Sequence, residues 1–210
     1  MNKITQDIYD GLDLLPKDLQ GWNGNSILFR KVIDEIKPTT IIEVGTWKGQ
    51  SAINMATHCK KTNLKTKIFC VDTWLGALEF WTHARATPTR NLLLKNGYPQ
   101  IYYQFLSNVV HCGLQDYISP LPMPSITASQ YFSYFNISAE IIYIDASHEQ
   151  GDVYRDIESY WPLLGKGGIM IGDDMNCRSW PGVSHDVHLF VKRHKLKLEI
   201  PHNKYWLIRK

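Results

Sequence analysis

The chain predicts an α/β fold, a mostly parallel sheet with helices on both faces, closed by an antiparallel hairpin. Three observations carry this reading. Four apolar runs, at 41–44, 68–71, 141–144 and 168–172, each break off into acid or glycine, and buried parallel strands read as continuous apolar runs. Helix-length stretches separate them, the spacing of βαβ units with right-handed crossovers. Near the end, Leu196, Leu198 and Ile200 alternate with polar residues, and Tyr205-Trp206-Leu207-Ile208 follows across Pro201-His202-Asn203-Lys204, a hairpin pattern.

Taken in order, residues 4–20 form an acidic, leucine-containing lead-in that is helical in part. A turn cluster, Gly21-Trp22-Asn23-Gly24-Asn25, precedes a helix over 26–36 that Pro38 ends. The first strand follows, then a helix over 49–59 and a second strand from Lys67. A strand at 117–121, a helix at 125–135, a strand at 141–145, a helix at 149–164 and a strand at 168–172 continue the alternation. Residues 75–100 break it: long, aromatic and bearing Thr, Pro and Asn, they suggest a lid or substrate-binding excursion. All 210 residues fit one domain, with 1–38 as its lead-in.

Composition narrows the function. The chain is 44% hydrophobic and 20% charged, with a net charge of +3, too small to argue for nucleic acid. The basic run Lys192-Arg193-His194-Lys195-Leu196-Lys197 reads as a solvated face. Cys59, Cys70, Cys112 and Cys177 lack metal-ligand spacing, so free thiols in a cytoplasmic protein are expected. No apolar run suits a signal core or a membrane span, so neither membrane nor nucleic acid is expected as a partner. The seven tryptophans suggest flat surfaces around a pocket or an interface, which leaves a homo-oligomer open.

The strand tips carry the chemistry, because open α/β sheets bind ligands beyond the carboxyl ends of their strands. Glu43-x-Gly45-x-x-x-Gly49 lies between a strand and a helix, where glycine lets the backbone turn sharply or approach a ligand. Trp47 stands where a dinucleotide site would want a glycine, which weakens a phosphate-binding reading. Asp72, ending the next strand, is placed to accept ribose hydroxyls, with Thr73 and Trp74 beside it; an ordinary helix cap is the plainer reading. Together these residues argue for adenosine binding without a phosphate grip. Asp145, Asp173 and Asp174 end two further strands. Carboxylates converging without a compensating Arg or Lys would raise one another's pKa, and a divalent cation such as Mg²⁺ relieves that. His148, three residues after Asp145, suits a general base, with local bonding or metal ligation as alternatives. His185 and His188 sit one helical turn apart without a completing acid. His83 falls in the excursion, where it could touch substrate, and Asp152 and Asp156 read as surface residues.

The ordered motifs resemble the class I S-adenosylmethionine-dependent methyltransferases, and more narrowly the family of macrolide-sugar O-methyltransferases and cephalosporin-hydroxylase-like proteins. They are Gly21-Trp22, Glu-Val-Gly-Thr-Trp-Lys-Gly at 43–49, Val-Asp-Thr-Trp-Leu-Gly at 71–76, Ile-Asp-Ala-Ser-His at 144–148, Leu-Leu-Gly-Lys-Gly-Gly at 163–168 and Gly-Asp-Asp at 172–174. The resemblance implies a Rossmann-like sheet of seven strands. It implies S-adenosylmethionine over the first two strand tips, with Glu43, Gly45, Thr46, Gly49 and Ser51 around the methionine end and turn. Asp72 would hold the ribose, with Trp74 near the adenosine and Ser125, in Pro122-Met123-Pro124-Ser125, against the adenine. It also implies Mg²⁺ on Asp145, Asp173 and Asp174, His148 as base, and a small hydroxylated acceptor such as a sugar or polyol. Rival readings are a metal-dependent hydroxylase, which lacks a convincing second histidine here, and a non-catalytic subunit that binds S-adenosylmethionine or a partner enzyme.

Overall fold

A computed structural model describes residues 7–82 and 92–210. Its strands are β1 (Thr40–Val44), β2 (Lys67–Asp72), β3 (Ile118–Pro122), β4 (Ala139–Ile144), β5 (Leu164–Gly172), β6 (Leu198–Glu199) and β7 (Trp206–Arg209). They form a seven-stranded sheet in the order β3-β2-β1-β4-β5-β7-β6. The four pairings from β3 to β5 are parallel, β5 pairs antiparallel with β7, and β6 closes the edge antiparallel to β7. The strand order reverses at β1 and β4, so the tips of these neighbours flank the crevice where such sheets bind ligands.

Helices α1 (Ile27–Ile36), α2 (Gln50–Lys61), α3 (Leu78–Thr82), α4 (Ile101–His111), α5 (Ser125–Tyr134), α6 (Asp152–Tyr160) and α7 (Pro181–His194) complete the described elements. The two-residue period of the strands splits the core into two. Ile41, Ile68, Ile141, Tyr143, Ile169 and Ile171 face a layer that contains Phe29, Met55 and Phe105 of α1, α2 and α4. Ile42, Val44, Phe69, Ile142, Ile144 and Met170 face Phe132, Ile157 and Phe190 of α5, α6 and α7. Helices thus cover both faces, which is why the strands need no polar alternation.

Local signals set the element ends. The Ser26 hydroxyl accepts from Leu28 N at 3.2 Å and caps α1, and Lys37 in a left-handed conformation closes it before Pro38. The helix expected over 149–164 is shorter: Gly151 precedes α6, and a 3₁₀ turn, Trp161–Leu163, carries Pro162 into β5. Beyond the short α3, two helices were not expected. Helix α4 follows the excursion, and α7 occupies residues given no element together with the start of the basic run. Pro181 at its first turn and buried Val183, Val187 and Phe190 explain α7, since spacings of four and three residues place them on one face. Within 75–100, α3 and residues 92–100 are described, whereas His83 lies outside the described residues.

No helix among the described residues is long and apolar enough to cross a membrane. All four cysteines are free. The carboxyl end of β5 is fitted to its last neighbour: a Cβ on Gly172 would stand 2.0 Å from the Trp206 ring, so only glycine lets β7 lie alongside.

Candidate functional site

The turn after β1 is built from two acids and three backbone amides. Glu43 lies on the α2 face of the sheet, fully buried, and accepts from the Ser51 hydroxyl in the first turn of α2 and from Cys70 Sγ at 3.6 Å. Burial pushes its pKa up to about 8, against the hydrogen bonds of Ser51 and Cys70. Glu43 therefore braces the strand-to-helix junction from below. Above it, Asp72 accepts from Thr46 N and Trp47 N through Oδ2, both at 2.9 Å, and from Trp74 N through Oδ1 at 2.8 Å. A carboxylate has roughly four acceptor sites. Three are taken, which leaves one directed acceptor on a half-exposed side chain for a ligand hydroxyl.

The same turn needs a left-handed backbone at Trp47 and Gly49, with φ of 53° and 86°. Gly45, with φ of 86°, is pressed against the neighbouring strand tip: an added Cβ would lie 1.9 Å from the Asp145 carbonyl oxygen. The Thr46 hydroxyl is buried without a hydrogen-bond partner, an orphaned polar atom in a glycine-turned cradle that suits a polar ligand.

A strap over residues 15–24 lies across this turn. Asn108 of α4 accepts from Asp18 N at 2.9 Å and donates to Asp18 O and Lys48 O, while Lys48 Nζ pairs with Asp18 at 2.6 Å. Gln50 donates to Leu19 O and accepts from Gly24 N. Beside it, Trp47 stacks on Phe80 at 4.7 Å between ring centroids, with the exposed Trp22 at 6.0 and 6.1 Å from the two. This aromatic wall stands at the mouth of the turn.

Other expected cofactor residues are committed elsewhere. The Trp74 indole is 2% exposed, packs on Tyr102 and Phe105, and donates to Trp47 O at 2.7 Å, so it supports the turn from the core. Thr73 is exposed, its hydroxyl accepting from Leu75 N at 3.3 Å. The Ser125 hydroxyl donates to Asp156, and Ser125 O accepts from Tyr160. Asp156 is a correction to the sequence reading: it is 5% exposed, and burial raises its pKa to about 6. Asp152 is on the surface as expected, paired with Arg155. His185 and His188 line a shallow groove on α7, not the acidic centre.

At the tips of β4 and β5 the acids converge. His148 Nε2 lies 3.0 Å from Asp174 Oδ2 and 3.5 Å from Asp145 Oδ1, and its ring stacks on Trp180 at 4.9 Å. These three side chains offer ligand atoms within 4.8 Å of one another. His148 Nε2 is buried, and neither carboxylate lies in line for a hydrogen bond. Burial alone would lower the imidazole pKa, but Asp145 and Asp174 overcome this and hold it up at about 10. Tyr143 donates its hydroxyl to the other Asp145 oxygen at 2.8 Å.

The expectation that no cation compensates these acids is overturned. Lys204 Nζ lies 3.1 Å from Asp173 Oδ1 and 3.4 Å from Asp174 Oδ1. Asp173 is thereby turned to Lys204 and to Asp174 N, at 2.7 Å. Burial and Asp145 still raise its pKa to about 6. Asp174 moves the other way: burial would raise its pKa, and His148 and Lys204 bring it below the ordinary value. The structure thus groups Asp145, His148 and Asp174, and places Asp173 on the lysine. A buried, unaligned imidazole nitrogen between two carboxylates is a donor set that fits a divalent cation.

A family model described as "Methyltransferase domain" matches residues 42–175, well over half the chain. No curated protein sequence matches. Among solved structures, the O-methyltransferase from Bacillus cereus in complex with SAH is 14% identical, with a TM-score of 0.61 and coverage of 98% of this chain and 89% of that one. CalS11, a calicheamicin methyltransferase, is 17% identical, with a TM-score of 0.64 and coverage of 87% and 76%; it is also described as a TDP-rhamnose 3'-O-methyltransferase. TomG from Streptomyces achromogenes, an O-methyltransferase involved in tomaymycin synthesis and seen with SAM, is 12% identical, with a TM-score of 0.61 and coverage of 93% and 82%. At these identities the likeness establishes the shared fold.

Proposed function

The chain belongs to this methyltransferase-domain family, and from that premise we propose that it methylates a hydroxyl of a small molecule, a sugar or polyol, with S-adenosylmethionine as donor. The contact between the Gly45 turn and Asp145 carries the reading, because it sets the braced cofactor cradle against the acidic centre. When bound, S-adenosylmethionine supplies a methyl carbon on a positively charged sulfur. The one free acceptor of Asp72 takes a ribose hydroxyl, and the Thr46 hydroxyl finds a partner at the methionine end. Solved structures of the same fold include a TDP-rhamnose 3'-O-methyltransferase and an O-methyltransferase of tomaymycin synthesis, which supports an oxygen acceptor.

Transfer to the acceptor oxygen would break the donor's carbon–sulfur bond with its electron pair left on sulfur, and the hydroxyl proton would need a base among this chain's residues. His148 Nε2 takes it, provided the imidazole is neutral. Without compensation Asp145 and Asp174 keep it protonated at neutral pH. A divalent cation held by these two carboxylates would supply Lewis-acid polarisation of the acceptor hydroxyl and offset the charge that favours imidazolium. His148 Nε2 either accepts a proton or binds that cation, and one variant distinguishes the roles. His148→Ala that loses turnover but keeps the heat of Mg²⁺ binding makes it the base; loss of both makes it a ligand.

The first test is calorimetric titration of EDTA-stripped protein with S-adenosylmethionine, repeated with Mg²⁺. Saturable binding followed by turnover with a hydroxylated sugar is the expected result. No binding under either condition overturns the proposal.

A further inference from the structure

Lys204 enters the site from the turn between β6 and β7, and its placement follows from the sheet. In the antiparallel β5–β7 pair Gly172 faces Trp206, so continuing the register sets Lys204 opposite Asp174, and Met175 N donates to Lys204 O at 2.7 Å. Its ammonium is therefore carried by a paired backbone to within 3.1 and 3.4 Å of Asp173 and Asp174. Burial disfavours the charged ammonium, yet the two carboxylates raise its pKa above the ordinary value. The Lys204 side chain is one third exposed, which leaves room for the flexible stem to swing into solvent.

We infer that Lys204 is an internal cation that competes with a divalent ion for the carboxylates at the β5 tip. The inference rests on the metal reading given above. With the ammonium seated, Asp173 and Asp174 are already half-compensated, and a divalent ion binding at Asp145, His148 and Asp174 meets its repulsion. Binding of the ion expels the ammonium from Asp174, so the loaded and unloaded sites differ in where Lys204 lies. The protein thereby holds its acids together without metal and takes up metal with reduced affinity.

The test is Mn²⁺ binding to the full chain, read from loss of the free-ion electron paramagnetic resonance signal, for wild type, Lys204→Met and Lys204→Arg. Methionine keeps the apolar stem and removes the charge. The expected result is Mn²⁺ binding about tenfold or more tighter in Lys204→Met, with Lys204→Arg close to wild type. Equal or weaker binding in Lys204→Met overturns the inference while leaving a wild-type metal site standing. No Mn²⁺ binding to wild type or to Lys204→Met overturns the metal reading and this inference together. Thermal unfolding of each variant without metal reports whether the fold is kept, and Lys204→Arg carries the comparison if methionine disturbs it: affinity in Lys204→Arg tenfold above wild type also overturns the inference.

Discussion

Asp72 is the residue whose replacement separates the architecture of the cradle from its use. Its carboxylate gathers the amides of Thr46, Trp47 and Trp74. Each bond to a charged acceptor at a partly exposed position contributes about 1 kcal/mol, below the usual range for such bonds because water can replace part of what is lost. Asp72→Ala frees all three amides and should cost about 3 kcal/mol. Asp72→Asn can turn its single oxygen to Thr46 and Trp47 but then sets an amide donor against Trp74 N, a loss of about 1–2 kcal/mol. Urea unfolding at pH 7 measures both, and the alanine variant should melt roughly 6–12 °C below the parent. Calorimetry on the asparagine variant then isolates the ligand contact: affinity for S-adenosylmethionine should fall about tenfold while most stability remains. An alanine variant within about 0.5 kcal/mol of the parent would refute the claim that this carboxylate holds the turn together.

Two further outcomes follow from buried ionisable groups. The folded-state pKa of Asp156, about 6, lies above its ordinary value of 3.8, so the folded protein favours the protonated form and loses stability as pH rises between these values. Asp156→Asn, which still accepts from Ser125, should match wild type near pH 4 and exceed it by about 1–3 kcal/mol at pH 7.5; a less stable variant at pH 7.5 would show that the charge is compensated. His148 has a raised folded-state pKa, so its pairing with Asp145 and Asp174 stabilises the metal-free fold fully below pH 6.5 and stops doing so as pH rises through about 10. Ring resonances followed by nuclear magnetic resonance in chelator-treated protein should titrate near 10, and a midpoint below 8 contradicts the ion pairs.

Strands β1, β2, β4 and β5 were legible because burial on both faces leaves a largely apolar record. Helix α7 was not, because Gly182, His185, Asp186 and His188 dilute its periodic Val183, Val187 and Phe190 with weak helix formers. Helix α4 was missed for a similar reason, its Tyr, Phe and Val residues reading equally well as strand. At the site, the acids and His148 were visible as strand-tip residues. Lys204 was not, being thirty residues from Asp174 along the chain. The predicted hairpin held the missing signal, since pairing its second arm with 168–172 in antiparallel register already puts position 204 beside 174. Trp74 shows the opposite limit: the sequence set it near the adenosine, and only packing reveals that its ring faces Tyr102 and Phe105.

The late strand β7 sits inside the sheet, between β5 and β6, and is not an edge. It brings Trp206 onto Gly172 and, two residues earlier, Lys204 onto the acids. Parallel pairings among β1 to β5 can form without it, but Asp173 and Asp174 then lack the ammonium of Lys204. Docking of the hairpin therefore does two things together: it fills the slot over Gly172 and it relieves the repulsion between those acids. A chain that has not zipped its final segment would be an open-rimmed intermediate, compact in its central layers and more expanded at the crevice as pH rises and those acids ionise.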